Sequence, residues 1–258
     1  MENEASLKEL INQFATMPGY KVLVHGGGRS ATRIAAQLGI ESRMVGGRRI
    51  TDEDMLQVVT MVYGGLVNKR IVAALQARGV NAIGLTGADM DIIRSHKREP
   101  KMVTLDDGTQ EMVDFGFVGD VDHANGNRLA SLVKARDSIQ AAVPVVAPLT
   151  HDGMGNILNT NADTMAATVA KALTEEFDVT LTYCFEKPGV MADAEDDDSV
   201  IPSINTESYA RLKADGIVSG GMIPKLENAF DSISSGLKRV VITHFMDIQA
   251  SMGTVIEK

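Results

Sequence analysis

Short β-branched runs alternating with longer helical stretches constrain this chain more than any other feature. Leu7, Leu10, Ile11 and Phe14 recur at helical spacing, so the chain opens on an amphipathic helix. Pro18-Gly19 stops it, and Lys21 to Val24 then reads as a buried strand. A helix is expected from about Ser30 to Leu38. Another starts at Thr51-Asp-Glu-Asp54, whose spacing has capping-box character, and runs through Val58, Met61 and Val62. Ala82–Leu85, Val143–Ala147, Val179–Phe185 and Val240–Thr243 look like further buried strands. Asn161-Ala-Asp163 leads into an Ala-rich helix ending near Leu173, and residues 95–113 read as a polar, irregular excursion turning at Asp107-Gly108. Strands separated by helices predict an α/β fold, a three-layer αβα sandwich around a mostly parallel open sheet shared by both halves.

Charge narrows the function classes. A formal net charge of −9 without a Lys/Arg block argues against nucleic acid or a membrane surface as partner, because both need concentrated positive charge. The single cysteine, Cys184, excludes an intramolecular disulfide and a cysteine metal cluster, and reads as a small hydrophobe in a buried strand. No apolar run near the length of a bilayer span is evident, and the start Met1-Glu-Asn-Glu-Ala is too acidic for a secretory signal, so the expectation is a cytoplasmic protein.

Four motifs could carry chemistry. In strand–His25-Gly26-Gly27-Gly28–helix, glycines let the backbone approach a ligand, and the helix N-terminus offers N–H groups to an anion. The alternative is a purely structural turn. It is not a P-loop, because no Gly-Lys-Ser/Thr follows. Gly46-Gly47-Arg48-Arg49-Ile50-Thr51 places guanidiniums beside a glycine pair, which suits capture of a carboxylate or is simply a solvated basic turn. Asn159-Thr160-Asn161-Ala162-Asp163 sets polar side chains around a strand-to-helix turn, where they bind substrate or serve as caps. Gly220-Gly221-Met222-Ile223-Pro224-Lys225 delivers Lys225 near a helix start, where a lysine neutralises charge during phosphoryl transfer or is an ordinary surface residue. His25 reads as a structural hydrogen-bonder, and Glu195-Asp-Asp-Asp198 as a solvated hairpin tip.

Taken in order, these four motifs resemble the acetylglutamate kinases of the amino-acid kinase family. Gly64-Gly-Leu-Val-Asn-Lys69, Gly84-Leu-Thr-Gly-Ala-Asp89 and Phe117-Val-Gly-Asp-Val121 add support. The resemblance implies ATP-dependent phosphorylation of the side-chain carboxylate of an N-acyl-L-glutamate, on the arginine pathway. It implies that Gly27 and Gly28 donate to that carboxylate, that Arg49 and Asn159 clamp the α-carboxylate, that Lys225 stabilises the transferring phosphoryl group, and that Asp163 positions the catalytic lysines. It further implies Mg²⁺ carried on the ATP phosphates without a protein metal cage, and a homodimer. Residues 1–170 would form the acylglutamate-binding and dimerisation lobe and 171–258 the ATP lobe. The acyl group is not readable: Arg48 beside Arg49 could meet a second carboxylate, as in an N-succinyl group, but an ordinary surface arginine is the favoured reading.

Two departures stand against the family pattern. Its members begin with a strand carrying Lys-x-Gly-Gly, whereas Met1 here falls inside the connection to the first helix, and neither Lys8 nor Lys21 is a substitute. The expectation is a start codon set too late or a truncation, with a non-catalytic acylglutamate-binding homologue as the alternative. Phe185-Glu-Lys-Pro-Gly-Val190 stands where relatives carry an Asp-Val-x-Gly-type nucleotide loop, so no adenine contacts carry over.

Overall fold

A computed structural model describes residues 4–45, 48–104, 108–134, 141–193, 195–219, 222–249 and 253–257. Gly46-Gly47, Asp107 and Gly220-Gly221, which figured in the motif reading, lie outside the described residues. The chain packs as two compact units, one of Tyr20–Met165 and one of Met1–Gly19 with Ala166–Lys258. The opening helix α1 (Glu4–Thr16) therefore belongs with the C-terminal half.

The first unit begins with β1 (Leu23–Val24) and α2 (Gly28–Gln37), followed by the ribbon β2 (Met44–Val45) and β3 (Arg48–Arg49). A long helical run then comprises α3 (Glu53–Val59), a π-helical stretch over Thr60–Val67 and α4 (Asn68–Gln76). Next come β4 (Ala82–Leu85), β5 (Ile93–Lys97), the hairpin β6 (Lys101–Thr104) and β7 (Gln110–Val113), β8 (Gly119–Ala124), α5 (Gly126–Lys134), β9 (Val143–Val146), β10 (Leu149–His151) and β11 (Ile157–Asn159). Strands β1, β9 and β4 form an all-parallel sheet with β9 in the middle. Proline is rare in a central strand because it lacks an N–H to donate. Pro144 is tolerated because its β1-facing side lies before that strand begins, at Leu23↔Val145. A second, mixed sheet runs β11-β10-β5-β8, with a register shift at Arg94/Ser95.

Ala31 and Ala35 of α2, Met55, Val58 and Val59 of α3, and Val62 and Tyr63 pack with Ala147 and Leu149 into one core. Small residues on α2 let its axis approach α3 closely. Glu53–Gln76 is a 24-residue helical run long and apolar enough to cross a membrane by length and composition alone, although no unbroken apolar stretch of that length occurs in it. Its buried face carries the polar Asn68 and the hydroxyl of Tyr63, both engaged with the surrounding protein, so it serves as a core helix of this unit. Within 95–113, the described residues carry regular strands rather than an irregular excursion, because β5 pairs with β8 and β6 with β7.

The second unit holds α6 (Ala162–Leu173) from Ala166 onward, then β12 (Thr180–Phe185), β13 (Ser203–Ile204), α7 (Thr206–Ala214), α8 (Met222–Ser234), β14 (Arg239–His244) and β15 (Thr254–Ile256). Its sheet is ordered β12-β14-β15-β13. Leu226, Ala229 and Ile233, at helical spacing on α8, pack with Leu181, Tyr183, Val240, Ile242, Ile204 and Ile256 from all four strands. The four described strands of this unit form one hydrogen-bonded sheet. Cys184 is exposed on β12 rather than buried, because strand alternation turns Leu181 and Tyr183 inward and Cys184 outward. Residues 195–198 form an exposed turn between Met191 and Val200, which pair as an antiparallel bridge, as expected of a hairpin tip.

Candidate active site

The three parallel strands end at the same edge, where open α/β sheets bind ligands. β1 runs directly into His25-Gly26-Gly27 and the N-terminus of α2, with Gly27 at the cap. His25 is buried; its Nδ1 donates to Gly26 O at 2.7 Å and its Nε2 accepts from Asn68 Nδ2 at 3.2 Å. Burial pushes its pKa down to about 4, partly opposed by the bond to Gly26, so the ring is a neutral structural bridge at pH 7. Asn68, fully buried, also donates to Val145 O at 2.8 Å, tying the long helix to the central strand beneath the glycine loop. The glycines have distinct reasons. A Cβ on Gly27 would lie 2.8 Å from Tyr63 Cδ1, whereas one on Gly28 would meet only Arg49 Nη2 at 3.8 Å.

Arg49, on β3, reaches across to this loop. Its Nη2 donates to Gly28 O and to Thr32 Oγ1, both at 2.9 Å, and its Nη1 donates to Ser42 Oγ. The hydroxyl of Tyr63 joins by a hydrogen bond to the guanidinium, while burial raises the phenol pKa and the nearby Arg49 charge opposes that rise. Arg49 is 9% exposed, and among the described residues no carboxylate pairs with it. A buried guanidinium bonded only to neutral groups lacks a counter-charge, which an incoming anion can supply. Gly28 and Arg49 are therefore brought together as the sequence suggested.

Asn159, at the end of β11, donates from Nδ2 to Thr51 Oγ1 at 2.9 Å, and its backbone N–H donates to Phe117 O at 2.8 Å. Its Oδ1 has no protein donor among the described residues, leaving an acceptor available. Asn161 is instead a cap, its Oδ1 accepting from Thr164 N at 3.0 Å at the start of α6. Asp163 lies half-buried in the first turn of that helix, where the helix dipole stabilises a carboxylate. The cap of α3 is Asp52, whose Oδ1 accepts from Met55 N at 2.8 Å, and not Thr51. Thr51 is a bridge residue paired with Gly116, and its hydroxyl serves Asn159.

In the second unit, Lys225 sits in the first turn of α8 with its Nζ 4.3 Å from the centre of the Phe185 ring, at the carboxyl end of β12. That turn contains no acidic residue, and a cation at a positive helix end is the reverse of the usual preference. The arrangement fits a polyanion such as a nucleotide's phosphates, which both positive features would attract. Tyr63, Thr32, Ser42 and Asn68 were not singled out by the motif reading. Only Tyr63 and Asn68 had a signal, Tyr63 directly preceding and Asn68 falling within Gly64-Gly-Leu-Val-Asn-Lys69.

The Amino acid kinase family profile matches residues 1–244. An acetylglutamate kinase of Bacteroides thetaiotaomicron is 60% identical over 258 residues, covering 100% of this chain and 95% of that protein. An acetylglutamate kinase of Cytophaga hutchinsonii is 51% identical over 242 residues, covering 94% of this chain and 86% of that protein. Among solved structures, smu.665 from Streptococcus mutans superposes with a TM-score of 0.73 at 25% identity, over 96% of this chain and 90% of that one. With the family profile matching residues 1–244 and relatives of that family up to 60% identical along the whole chain, the chain belongs to the amino acid kinase family.

Proposed function

We propose that the protein is a kinase that transfers the γ-phosphoryl group of ATP to the side-chain carboxylate of an N-acyl-L-glutamate, giving an acyl phosphate for amino-acid biosynthesis. The observation that carries this reading is Arg49, a buried guanidinium without a carboxylate partner, held against the glycine loop at the carboxyl edge of a parallel sheet. It receives the α-carboxylate in a fork; Asn159 does not share that clamp as the motif implied, because Thr51 holds its Nδ2, and its Oδ1 instead accepts from the N–H of the acylated nitrogen. Gly27 and Gly28 let the side-chain carboxylate approach backbone N–H groups at the start of α2. That carboxylate is already ionised at neutral pH, so the reaction needs no general base, consistent with a neutral His25.

The Tyr20–Met165 unit binds the acyl-amino acid and the unit of Met1–Gly19 with Ala166–Lys258 binds ATP, with Mg²⁺ entering on its phosphates. Lys225 neutralises charge on the transferring phosphoryl group and Asp163 orients lysine by charge pairing; both roles rest on the resemblance in motif. Catalysis is positioning and charge stabilisation without a covalent intermediate. The protein acts as a cytoplasmic homodimer. Identity at the 60% level along the whole chain to a named kinase weighs against a non-catalytic binding homologue.

The test is ADP release with ATP, Mg²⁺ and N-acetyl-L-glutamate, comparing the protein with Arg49→Lys. Lysine keeps the charge but not the fork, so kcat/KM should fall about 100-fold. No turnover with any N-acylglutamate, or equal activity in the variant, overturns the reading.

A further inference from the structure

Phe185 opens the loop in which the chain departs from its family's nucleotide-loop pattern, and the motif reading gave it no role. It ends β12, and its partner in the register is His244, the last residue of the parallel neighbour β14. Open sheets bind ligands at such carboxyl ends. Alternation puts Leu181, Tyr183 and Phe185 on one face of β12, where they pack with Leu226, Ala229 and Ile233 of α8. Lys225 lies one helical turn before the fully buried Ala229, so α8 delivers it to the sheet side. Its Nζ stands 4.3 Å from the centre of the Phe185 ring.

The ring is itself held in place. Phe185 O accepts from Phe245 N at 3.0 Å, and the ring stacks on that of the buried Tyr183, with centroids 6.3 Å and planes 20° apart. The loop that follows is pinned at Val190, whose N–H donates to the buried Thr254 Oγ1 at 2.8 Å. Thr254 Oγ1 donates in turn to Ile201 O at 2.7 Å. A lysine ammonium ends a flexible four-carbon stem, so its place is set by what it touches. An aromatic face attracts the ammonium through the ring quadrupole and adds no formal negative charge. Phe185 therefore holds Lys225 without cancelling any of the charge a phosphate needs, which a carboxylate in its place would do.

We propose that Phe185 is a positioning residue, whose ring presets the Lys225 ammonium at the carboxyl end of β12 for the transferring phosphoryl group of ATP. This rests on the role proposed above for Lys225, and deepens it by naming the group that aims the lysine. A positioning residue of this kind acts wholly through Lys225. Its effect belongs in kcat, where the transition state is stabilised, and not in KM for the acyl-amino acid.

Phe185→Leu keeps apolar bulk but removes the π face. It should lower kcat with ATP, Mg²⁺ and N-acetyl-L-glutamate about 10-fold, leaving KM for the acyl-amino acid within about twofold. Phe185→Tyr keeps the face and should recover most of that loss. In a Lys225→Met background, Phe185→Leu should cost little more, because the lysine it aims is gone. A loss that adds in full to that of Lys225→Met, or one equal in the leucine and tyrosine variants, overturns the inference. Thermal unfolding checks that each variant is folded. A second readout needs no turnover: in NMR spectra of lysine-labelled protein, the Phe185 ring current should displace the Lys225 ε-methylene signal upfield, and Phe185→Leu should return it to the ordinary lysine position. An undisplaced signal in the unaltered protein overturns the inference whatever the kinetics, so the test survives a leucine variant that fails to fold. A displaced signal in a protein that turns over no N-acylglutamate overturns the kinase reading and the catalytic purpose of the contact, while leaving the contact itself in place.

Discussion

Three residues around the glycine loop show how burial decides a side chain's role. His25 and Arg49 are both buried, yet burial leaves the His25 ring a neutral structural bridge, whereas Arg49 spreads its donors over Gly28 O, Thr32 Oγ1 and Ser42 Oγ. An unfolded histidine takes a proton near pH 6.5 and the folded His25 only near about 4. The unfolded state binds more protons between those values, so stability from the neutral ring is complete above pH 6.5 and is lost as pH falls through 4. The loss amounts to about 3 kcal/mol, and urea unfolding at stepped pH should show it in the protein but not in His25→Gln. Gly84 answers to geometry alone, since a Cβ there would sit 1.9 Å from Asn68 Oδ1 and 2.6 Å from Lys69 Nζ. Gly84→Ala should cost about 2–4 kcal/mol in urea unfolding, because the displaced Asn68 abandons two buried bonds; a cost near zero would mean the helix yields freely. The motif reading quoted Gly84 only as a mark of resemblance, since a sequence does not reveal which side chain a missing Cβ makes room for.

At the scale of elements, the helical run from Glu53 to Gln76 is the most informative piece. Its amphipathic start is legible in Val58 and Val62, but the π-helical stretch over Thr60–Val67 is not, because eight residues make fewer than two of its wider turns, too few for a changed hydrophobic period to show. That stretch carries Tyr63, which packs against Gly27 and bonds Arg49, so the altered turn aims a side chain at the loop. The run's N-terminus rests on Asp52, and Asp52→Ala should destabilise the protein by about 1 kcal/mol in the same assay, with Thr51 unable to stand in because it is committed to strand pairing. The β6–β7 hairpin was unreadable for a related reason. Its residues are mostly exposed, so no apolar alternation marks it, and backbone pairing with its own return strand holds it.

For the molecule as a whole, the proposed homodimer has a physical motive on the same helical run, where Met61 and Leu66 are 55% and 42% exposed. A charge on that face is incompatible with a buried subunit contact, so Leu66→Glu combined with Met61→Glu should shift sedimentation from dimer to monomer. An unaltered dimer would place the contact elsewhere. From its residues alone the chain determined its class and family, since alternating strand and helix patterns and four ordered motifs are local and survive without coordinates. It also marked Gly27, Gly28, Arg49 and Asn159, because glycine turns and paired arginines keep their chemistry wherever they are placed. Tertiary structure alone decided that α1 joins the C-terminal unit, that Thr51 orients Asn159 while Asp52 caps, and that Arg48 and Arg49 part to opposite sides of one ribbon. Those outcomes depend on which distant backbone lies alongside, and pairing between segments as far apart as Thr51 and Asn159 leaves no periodic trace in either of them.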